Sequence, residues 1–209
     1  DDPHHYLVIA GQPAPEAYAQ KLREAGRELG LGDRLIIHGE ADMQLPSLYY
    51  GAADIFVFPG DNIVETWGQT LCEAKASGLP LVVSDWDGLR THVEHQENGF
   101  LIPTWQMPAS QRLEAFLPIA PTERLAHAQN VWLDTDALTD ALKLLFHDEE
   151  LSGRMGARSR QMAEEKYHWN GVMQQWRALW DELETIARNE APENMQARRE
   201  YANRLGLPV

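Results

Sequence analysis

Hydrophobic residues in the first half of the chain form short continuous runs, and segments with helical spacing separate these runs. The runs are 6-YLVIAG-11, 35-LIIHG-39, 54-DIFVFPG-60, 80-PLVVSD-85 and 99-GFLIP-103. Apolar residues recur at three-to-four spacing between Ala17 and Leu29, which predicts a helix there. Continuous apolar runs that alternate with helices are typical of parallel strands covered on both faces. The pattern therefore predicts an α/β fold with a doubly wound, Rossmann-like parallel sheet.

Three shorter segments between the later strands also have helical character: 45–53, 67–77 and 88–95. Ligands of doubly wound sheets bind where the strands end at their carboxyl edge. The loops and first helical turns after the strands are therefore the places to look for binding residues.

The alternation of strand and helix ends at Pro103. Residues 104–131 contain three prolines and no clean period, which predicts an insertion or long loop. Helical spacing returns at Thr135 and predicts helices over about 135–146, 149–166 and 169–188. We therefore predict one domain over residues 1–187 and a polar helical tail over 188–209.

Composition narrows the class of protein and of partner. The net charge of −14 disfavours broad binding to nucleic acid, because phosphate backbones attract clustered Lys and Arg. No apolar run is long enough for a transmembrane helix. The single cysteine, Cys72, precludes an internal disulfide and fits a reducing compartment. We expect a cytoplasmic protein, and leave open a peripheral position at the inner face of the membrane.

Two glutamates, Glu65 and Glu73, flank a Trp-Gly-Gln turn after the strand that ends in Pro-Gly. Periodicity alone leaves Glu73 equally compatible with a solvated helix face. Glu65 is equally compatible with a favourable charge near the positive end of a helix. Their position at the carboxyl edge of the predicted sheet favours ligand binding instead.

The first turn of the helix after this strand offers backbone donors for an anion. The amides of Gly68, Gln69 and Thr70 lack helical acceptors and suit a phosphate group, and Gly68 allows close approach of the backbone. A carboxylate one turn further on, at Glu73, suits the vicinal hydroxyls of a ribose.

Other sites of chemistry have weaker support. The histidines are scattered without metal-ligand spacing, and neither the dinucleotide G-x-G-x-x-G fingerprint nor a P-loop is present. Trp169, Trp176 and Trp180 recur on a helical stripe, which favours packing over a platform for stacking sugars. We therefore predict no metal site and no bound cofactor.

The ordered motifs around these glutamates resemble the carboxyl-terminal, donor-binding domain of retaining glycosyltransferases with the GT-B fold, specifically family 4. The motifs are 35-LIIHG-39, 49-YYGAADIFVFPG-60, Glu65 and Glu73 with seven residues between them that include Trp67-Gly68, Ala76-Ser77-Gly78 before Pro80, Gly88 to Val93, and Asn98-Gly99. The stretch 138–169 is similar to the closing helices of that family. The resemblance covers roughly residues 6–103 and 132–187.

The resemblance implies a role for each matching residue. Glu73 would bind the ribose of a nucleotide-diphosphate sugar, and Glu65, taken as the catalytic residue, would contact the transferred sugar and steady the reacting centre. The segment from Gly39 to Met43, with Glu40, would line the base. The remaining donor contacts would come from the backbone of Thr66, Trp67, Gly68, Gln69, Thr70 and Leu71. The family transfers a hexose with retention of configuration, usually without a metal.

The resemblance also implies that an amino-terminal acceptor domain and the cations that neutralise the diphosphate precede residue 1 in a longer parent chain. We therefore expect the fragment to bind the donor but to be inactive alone. The acceptor, whether a glycan, a lipid or a small molecule, stays open. So do three alternatives: a related GT-B epimerase or phosphorylase, a non-catalytic nucleotide-sugar-binding or scaffolding module, and a response-regulator-like domain, which lacks its paired aspartates here.

Overall fold

The structure, a computed structural model, describes residues 4–11, 15–38, 45–62, 65–106, 127–189 and 192–204. The strands in chain order are β1 (Leu7–Ala10), β2 (Leu35–His38), β3 (Phe56–Phe58), β4 (Leu81–Ser84), β5 (Gly99–Ile102), β6 (Thr104–Gln106) and β7 (Val131–Leu133). The helices are α1 (Glu16–Glu28), α2 (Leu45–Ala52), α3 (Gln69–Ala76), α4 (Thr135–His147), α5 (Glu149–Tyr167), α6 (Trp169–Asn189) and α7 (Pro192–Arg204). Short 3₁₀ helices cover Gly32–Arg34 and Asp87–His92.

The first five strands pair in parallel, as the alternating pattern predicts. β1 pairs with β2, and β4 lies between β3 and β5 in a three-stranded group. Helices connect the strands within each group, which parallel pairing requires. The predicted parallel α/β architecture is confirmed, with its hydrogen bonding divided between these two groups of strands.

Strand β4 is buried on both of its faces. Leu81 and Val83 pack into a cluster with Leu71 of α3, whereas Val82 packs on the opposite face with Ala141 of α4. Each fully buried aliphatic side chain contributes about 1.5–3 kcal/mol relative to exposure. This double burial fixes the end of β4, and with it the loop that follows at the carboxyl edge.

Strand β1 departs from the prediction that every strand is covered on both faces. Leu7, Val8 and Ile9 are each more than a third exposed. The reason is that β1 pairs with β2 alone among the described strands, and α1 packs through Gly26 against Leu35 of β2.

Helices α3 and α5 meet at very close range. A Cβ atom on Gly156 would collide with the carbonyl oxygen of Gly78, so both backbones lie in direct contact. α5 then runs on to Tyr167, whose ring contacts Trp67 edge-on at 5.9 Å between centroids. α5 is thereby tied to both ends of α3.

A pair of short strands lies at the two ends of the predicted insertion 104–131, and the sequence pattern did not predict it. β6 and β7 form an antiparallel ribbon, with Trp105 opposite Trp132. The pattern concealed this ribbon because each strand has only three residues. Residues 107–126 lie outside the described part of the chain.

The closing helices match their predicted bounds, but one feature differs. Trp169, Trp176 and Trp180 are between 49% and 75% exposed, so the expected packing of this stripe is not formed within the described residues. The predicted helical tail contains α7. Over the described part of the chain, no helix has the length and apolarity needed to cross a bilayer.

Candidate functional site

The turn from Glu65 to Gly68 connects β3 to α3 at the carboxyl edge of the sheet. Gly68 precedes the first helical residue and has φ +76°, a left-handed conformation that favours glycine. Its amide donates to Glu65 Oε1 at 2.8 Å. Glu65 therefore holds the turn that precedes α3, and its negative charge lies near the amino terminus of that helix, where it is favourable.

The contact between Glu65 and Gly68 affects which backbone amides can donate to a ligand. The Gly68 amide is engaged by Glu65, and the Leu71 amide donates to the Gly68 carbonyl at 2.9 Å. The Leu71 side chain is fully buried in the core. Among the described residues, the amides of Gln69 and Thr70 in the first turn of α3 have no acceptor, so both are available to an anion.

The 3₁₀ helix after β4 packs against the turn from Glu65 to Gly68. A Cβ on Gly88 would overlap the Thr66 carbonyl, so the two backbones touch. The Trp86 indole N–H donates to the Asn62 carbonyl at 3.2 Å and holds the start of the same loop. The shape of the site thus depends on strands β3 and β4 ending side by side.

Glu73 lies one turn into α3 and is half-buried. The Tyr50 hydroxyl of α2 donates to Glu73 Oε2 at 2.9 Å, and the side-chain amide of Gln69 donates from Nε2 to Oε1 at 3.4 Å. The Gln69 contact is an i,i+4 pair that exposed helix faces also form, whereas the Tyr50 contact comes from another helix and would be absent from a solvated glutamate. The structure therefore opposes the solvated-surface interpretation that periodicity left open.

His92 is fully buried beneath the turn and connects it to α3. Its Nε2 lies within hydrogen-bond distance of the Trp67 carbonyl, which can only accept, so Nε2 carries a hydrogen. Nδ1 then accepts from the Cys72 thiol, at a distance of 3.9 Å from Sγ. Burial lowers the pKa of His92 and raises the pKa of Cys72, which keeps the imidazole neutral and the thiol protonated.

Lys75 is the least expected residue near the site. Its side chain is fully buried on the core face of α3, and its Nζ has no hydrogen-bond partner among the residues that the structure describes. The ammonium lies over the Tyr167 ring at 5.0 Å from the centroid. Burial, and next the positive charge of Lys166, lower the pKa of Lys75.

The predicted site residues separate into three groups. The residues from Glu65 to Gly68, with Gln69, Thr70 and Glu73, lie at one edge of the sheet as expected, and Leu71 contributes its side chain to the core. Gly39, Glu40 and Met43 lie outside the described residues. Their proposed contact with the base stays a prediction.

Sequence reasoning missed Tyr50, His92 and Lys75. Tyr50 and His92 reach the site from other elements, and no spacing along the chain marks their partners. The burial of Lys75 could have been predicted, because position 75 falls beside Leu71 and Ala74 on the buried face of the helix. A lysine at such a position is rare without a partner.

Replacing His92 with glutamine is expected to reduce the loss of stability at acidic pH. The lowered pKa of His92 means that the unfolded chain takes up the proton first, so stability falls as pH decreases below about 6.5. One proton gives at most about 1.4 kcal/mol per pH unit. Urea unfolding at pH 7.5 and 5.5 measures the difference.

Glutamine keeps an N–H donor for the Trp67 carbonyl but does not titrate. The exposed His147→Gln is the control and should retain the wild-type pH dependence. Equal pH dependence in His92→Gln and wild type would contradict the assignment of a buried, neutral imidazole.

The chain was compared with known proteins. The family model described as "Glycosyl transferases group 1" matches residues 1–117. A D-inositol 3-phosphate glycosyltransferase of Corynebacterium efficiens is 26% identical over 179 residues, which are 86% of this chain and 35% of that protein. The chain spans 22% to 35% of the length of such curated relatives.

Solved structures share the fold. Sucrose-phosphate synthase from Thermosynechococcus elongatus superposes with a TM-score of 0.61 at 23% identity, covering 86% of this chain and 39% of that one. HepE of Anabaena, solved in complex with UDP-glucose, superposes with a TM-score of 0.55 at 19% identity, covering 85% and 40%. At these identities the likeness establishes the α/β fold, which is that of one half of a GT-B structure.

Proposed function

The chain belongs to the glycosyl transferases group 1 family, and from this premise we propose that its site binds the nucleotide-diphosphate sugar of a retaining glycosyltransferase. One observation carries the proposal. The oriented Glu73 carboxylate lies one turn from the available amides of Gln69 and Thr70. A carboxylate for a diol beside donors for an anion matches the ribose and the diphosphate of such a donor.

We assign each part of the donor to a part of the site. Glu73 accepts from the ribose hydroxyls, and the amides of Gln69 and Thr70 hold the diphosphate. Glu65 contacts the transferred hexose, since the Gly68 amide occupies only one acceptor position of its Oε1. The base is assigned to residues 39–43. The complex of HepE with UDP-glucose gives support by analogy of fold.

In this proposal the chain contributes to transfer by placement and by stabilisation of charge. The acceptor hydroxyl attacks the anomeric carbon on the face from which the diphosphate departs and gives its proton to that diphosphate, and the configuration is retained. Negative charge grows on the departing diphosphate, and the donors at the start of α3 stabilise it. The proposal assigns no metal ion to the chain.

The acceptor is proposed to bind outside this chain. The chain spans a minor part of its relatives, so we propose that transfer needs a further acceptor-binding domain and that this chain alone binds the donor without turnover. We place the protein in the cytoplasm, where nucleotide sugars would be available to it.

Glu73→Gln is expected to weaken nucleotide binding at least tenfold, which is about 1.4 kcal/mol. The amide keeps the size of the side chain but removes one acceptor of the ribose pair. Isothermal titration calorimetry of the chain with UDP, GDP and ADP measures the dissociation constants.

The matched control is Glu182→Gln on α6, which removes the same charge at an exposed position and should leave binding unchanged. No binding of any of the three diphosphates by wild type would refute the donor site. A stable protein complex without nucleotide binding would then favour the scaffolding alternative.

A further inference from the structure

Tyr50 belongs to α2 and reaches across to α3. Its ring packs against Phe56 of β3 at 5.8 Å between centroids and borders the core cluster around Leu71. Its hydroxyl leaves this apolar contact and donates to Glu73 Oε2 at 2.9 Å. The ring and the hydroxyl therefore have separable roles, one in packing and one at the carboxylate.

The number of hydrogen bonds that the Glu73 carboxylate can accept shows what the contact with Tyr50 does to it. An ionised carboxylate has two oxygens, each able to accept about two hydrogen bonds. Tyr50 uses one position on Oε2, and Gln69 uses one on Oε1 through its longer contact. One acceptor position is left on each oxygen. Two acceptors on adjacent oxygens form the pair that a vicinal diol requires.

The hydroxyl of Tyr50 is a permanent donor. Burial first, and then the hydrogen bond and charge of Glu73, raise the pKa of Tyr50 far above its usual value. The phenol therefore stays protonated throughout the range in which a protein works, and Oε2 always receives its hydrogen bond. Hydrogen bonds to a charged acceptor are among the stronger ones.

We propose that Tyr50 is a positioning residue of the donor site, which orients the Glu73 carboxylate so that both of its oxygens accept from the two hydroxyls of one ribose. This inference rests on the proposed function, since it takes the nucleotide to be the ligand of Glu73. It goes further in assigning the preference for ribose over deoxyribose to a residue of another helix. Without the phenol, only the longer contact from Gln69 holds the carboxylate, which can then rotate and meet the diol through one oxygen.

A comparison of two ligands in two proteins distinguishes a positioning role of the Tyr50 hydroxyl from a role in stabilising the fold. Calorimetry measures the dissociation constants of UDP and of 2′-deoxy-UDP for wild type and for Tyr50→Phe. We expect wild type to prefer UDP by five- to tenfold. Tyr50→Phe should weaken UDP binding three- to tenfold and reduce that preference to less than twofold. Tyr49→Phe, on the neighbouring residue, is the control and should keep the wild-type preference.

A structural role of the hydroxyl predicts a different result. It would weaken UDP and 2′-deoxy-UDP by the same factor, and an unchanged preference in Tyr50→Phe overturns the proposal. If wild type binds UDP and Tyr50→Phe binds it equally well, the proposal fails while the donor site stands. If wild type binds none of UDP, GDP and ADP, both fail.

A double-variant cycle gives a second measurement that does not depend on the deoxy analogue. Because Tyr50 is proposed to act through Glu73, adding Tyr50→Phe to Glu73→Gln should change UDP affinity by less than twofold. A further loss of the same size as in the single Tyr50→Phe variant would show that the two residues act independently, and would overturn the proposal. Circular dichroism melting of all four proteins verifies that they are folded.

Discussion

Replacing Gly88 with alanine is expected to lower the free energy of unfolding by more than about 3 kcal/mol and to abolish nucleotide binding. The added methyl group would overlap the Thr66 carbonyl, and the obstacle is backbone rather than a flexible side chain. Overpacking against a rigid neighbour typically costs about 1–3 kcal/mol and sometimes more. Relief of the overlap requires the turn from Glu65 to Gly68 to move, and the amides at the start of α3 move with it. Urea unfolding and calorimetry with UDP measure the two effects.

The matched control is Gly153→Ala on α5. A Cβ there would meet no heavy atom within 4 Å, and the residue lies inside a helix. Alanine at such a position is expected to stabilise by about 0.5–1 kcal/mol. If Gly88→Ala unfolds within about 1 kcal/mol of wild type and binds UDP equally well, the contact between the two backbones does not shape the site.

Lys75→Met is expected to raise the free energy of unfolding by about 2 kcal/mol. A buried polar group without a hydrogen-bond partner costs about 1–3 kcal/mol, and methionine fills a similar volume without a charge. The midpoint of thermal unfolding should rise by about 4–8 °C for a chain of this size. The lowered pKa of Lys75 means that the unfolded chain holds the proton more tightly than the folded chain. Wild type therefore gains stability as pH rises toward 10.5, and the advantage of methionine shrinks over the same range.

Lys143→Met on α4 is the control for the loss of one positive charge. Lys143 is 66% exposed and lies 3.9 Å from Asp140, so its replacement should change stability by less than about 0.5 kcal/mol. A Lys75→Met protein that is less stable than wild type would show that the contact of the ammonium with Tyr167 outweighs the cost of burial. Melting curves at pH 7 and pH 10 test both the size and the pH dependence.

The sequence was sufficient to predict the five parallel strands, the main helices and one edge of the site. Periodicity located β4 as a doubly buried strand, because Leu81 to Val83 form a continuous apolar run with no polar face. The same logic placed Glu65 and Glu73 after a strand, at the edge where parallel sheets bind ligands. The resemblance then supplied the family, which the match over residues 1–117 confirms.

The contacts that orient the site residues could not be predicted in this way. Glu65 accepts from the Gly68 amide where Gly68 takes a left-handed conformation, a property of backbone angles rather than of residue type alone. Tyr50 and His92 meet the site across the fold, and a linear pattern does not encode such distances. The ribbon of β6 and β7 escaped notice because three-residue strands are shorter than any period that can be recognised.

The side chains assigned to the donor in the described site, and those that orient Glu73 and support the turn, come from one stretch of chain, from Tyr50 to His92; Tyr167 of α5 packs against Trp67 from outside it. A single genetic exchange of that stretch between related chains would therefore transfer the whole described site as a module, including the residues that orient Glu73 and support the turn. Whether such a hybrid folds would depend on a contact outside the site, between Gly78 of the transferred stretch and Gly156 of the recipient chain. Any side chain larger than hydrogen at position 156 would separate the two backbones. That join limits which relatives can donate the module.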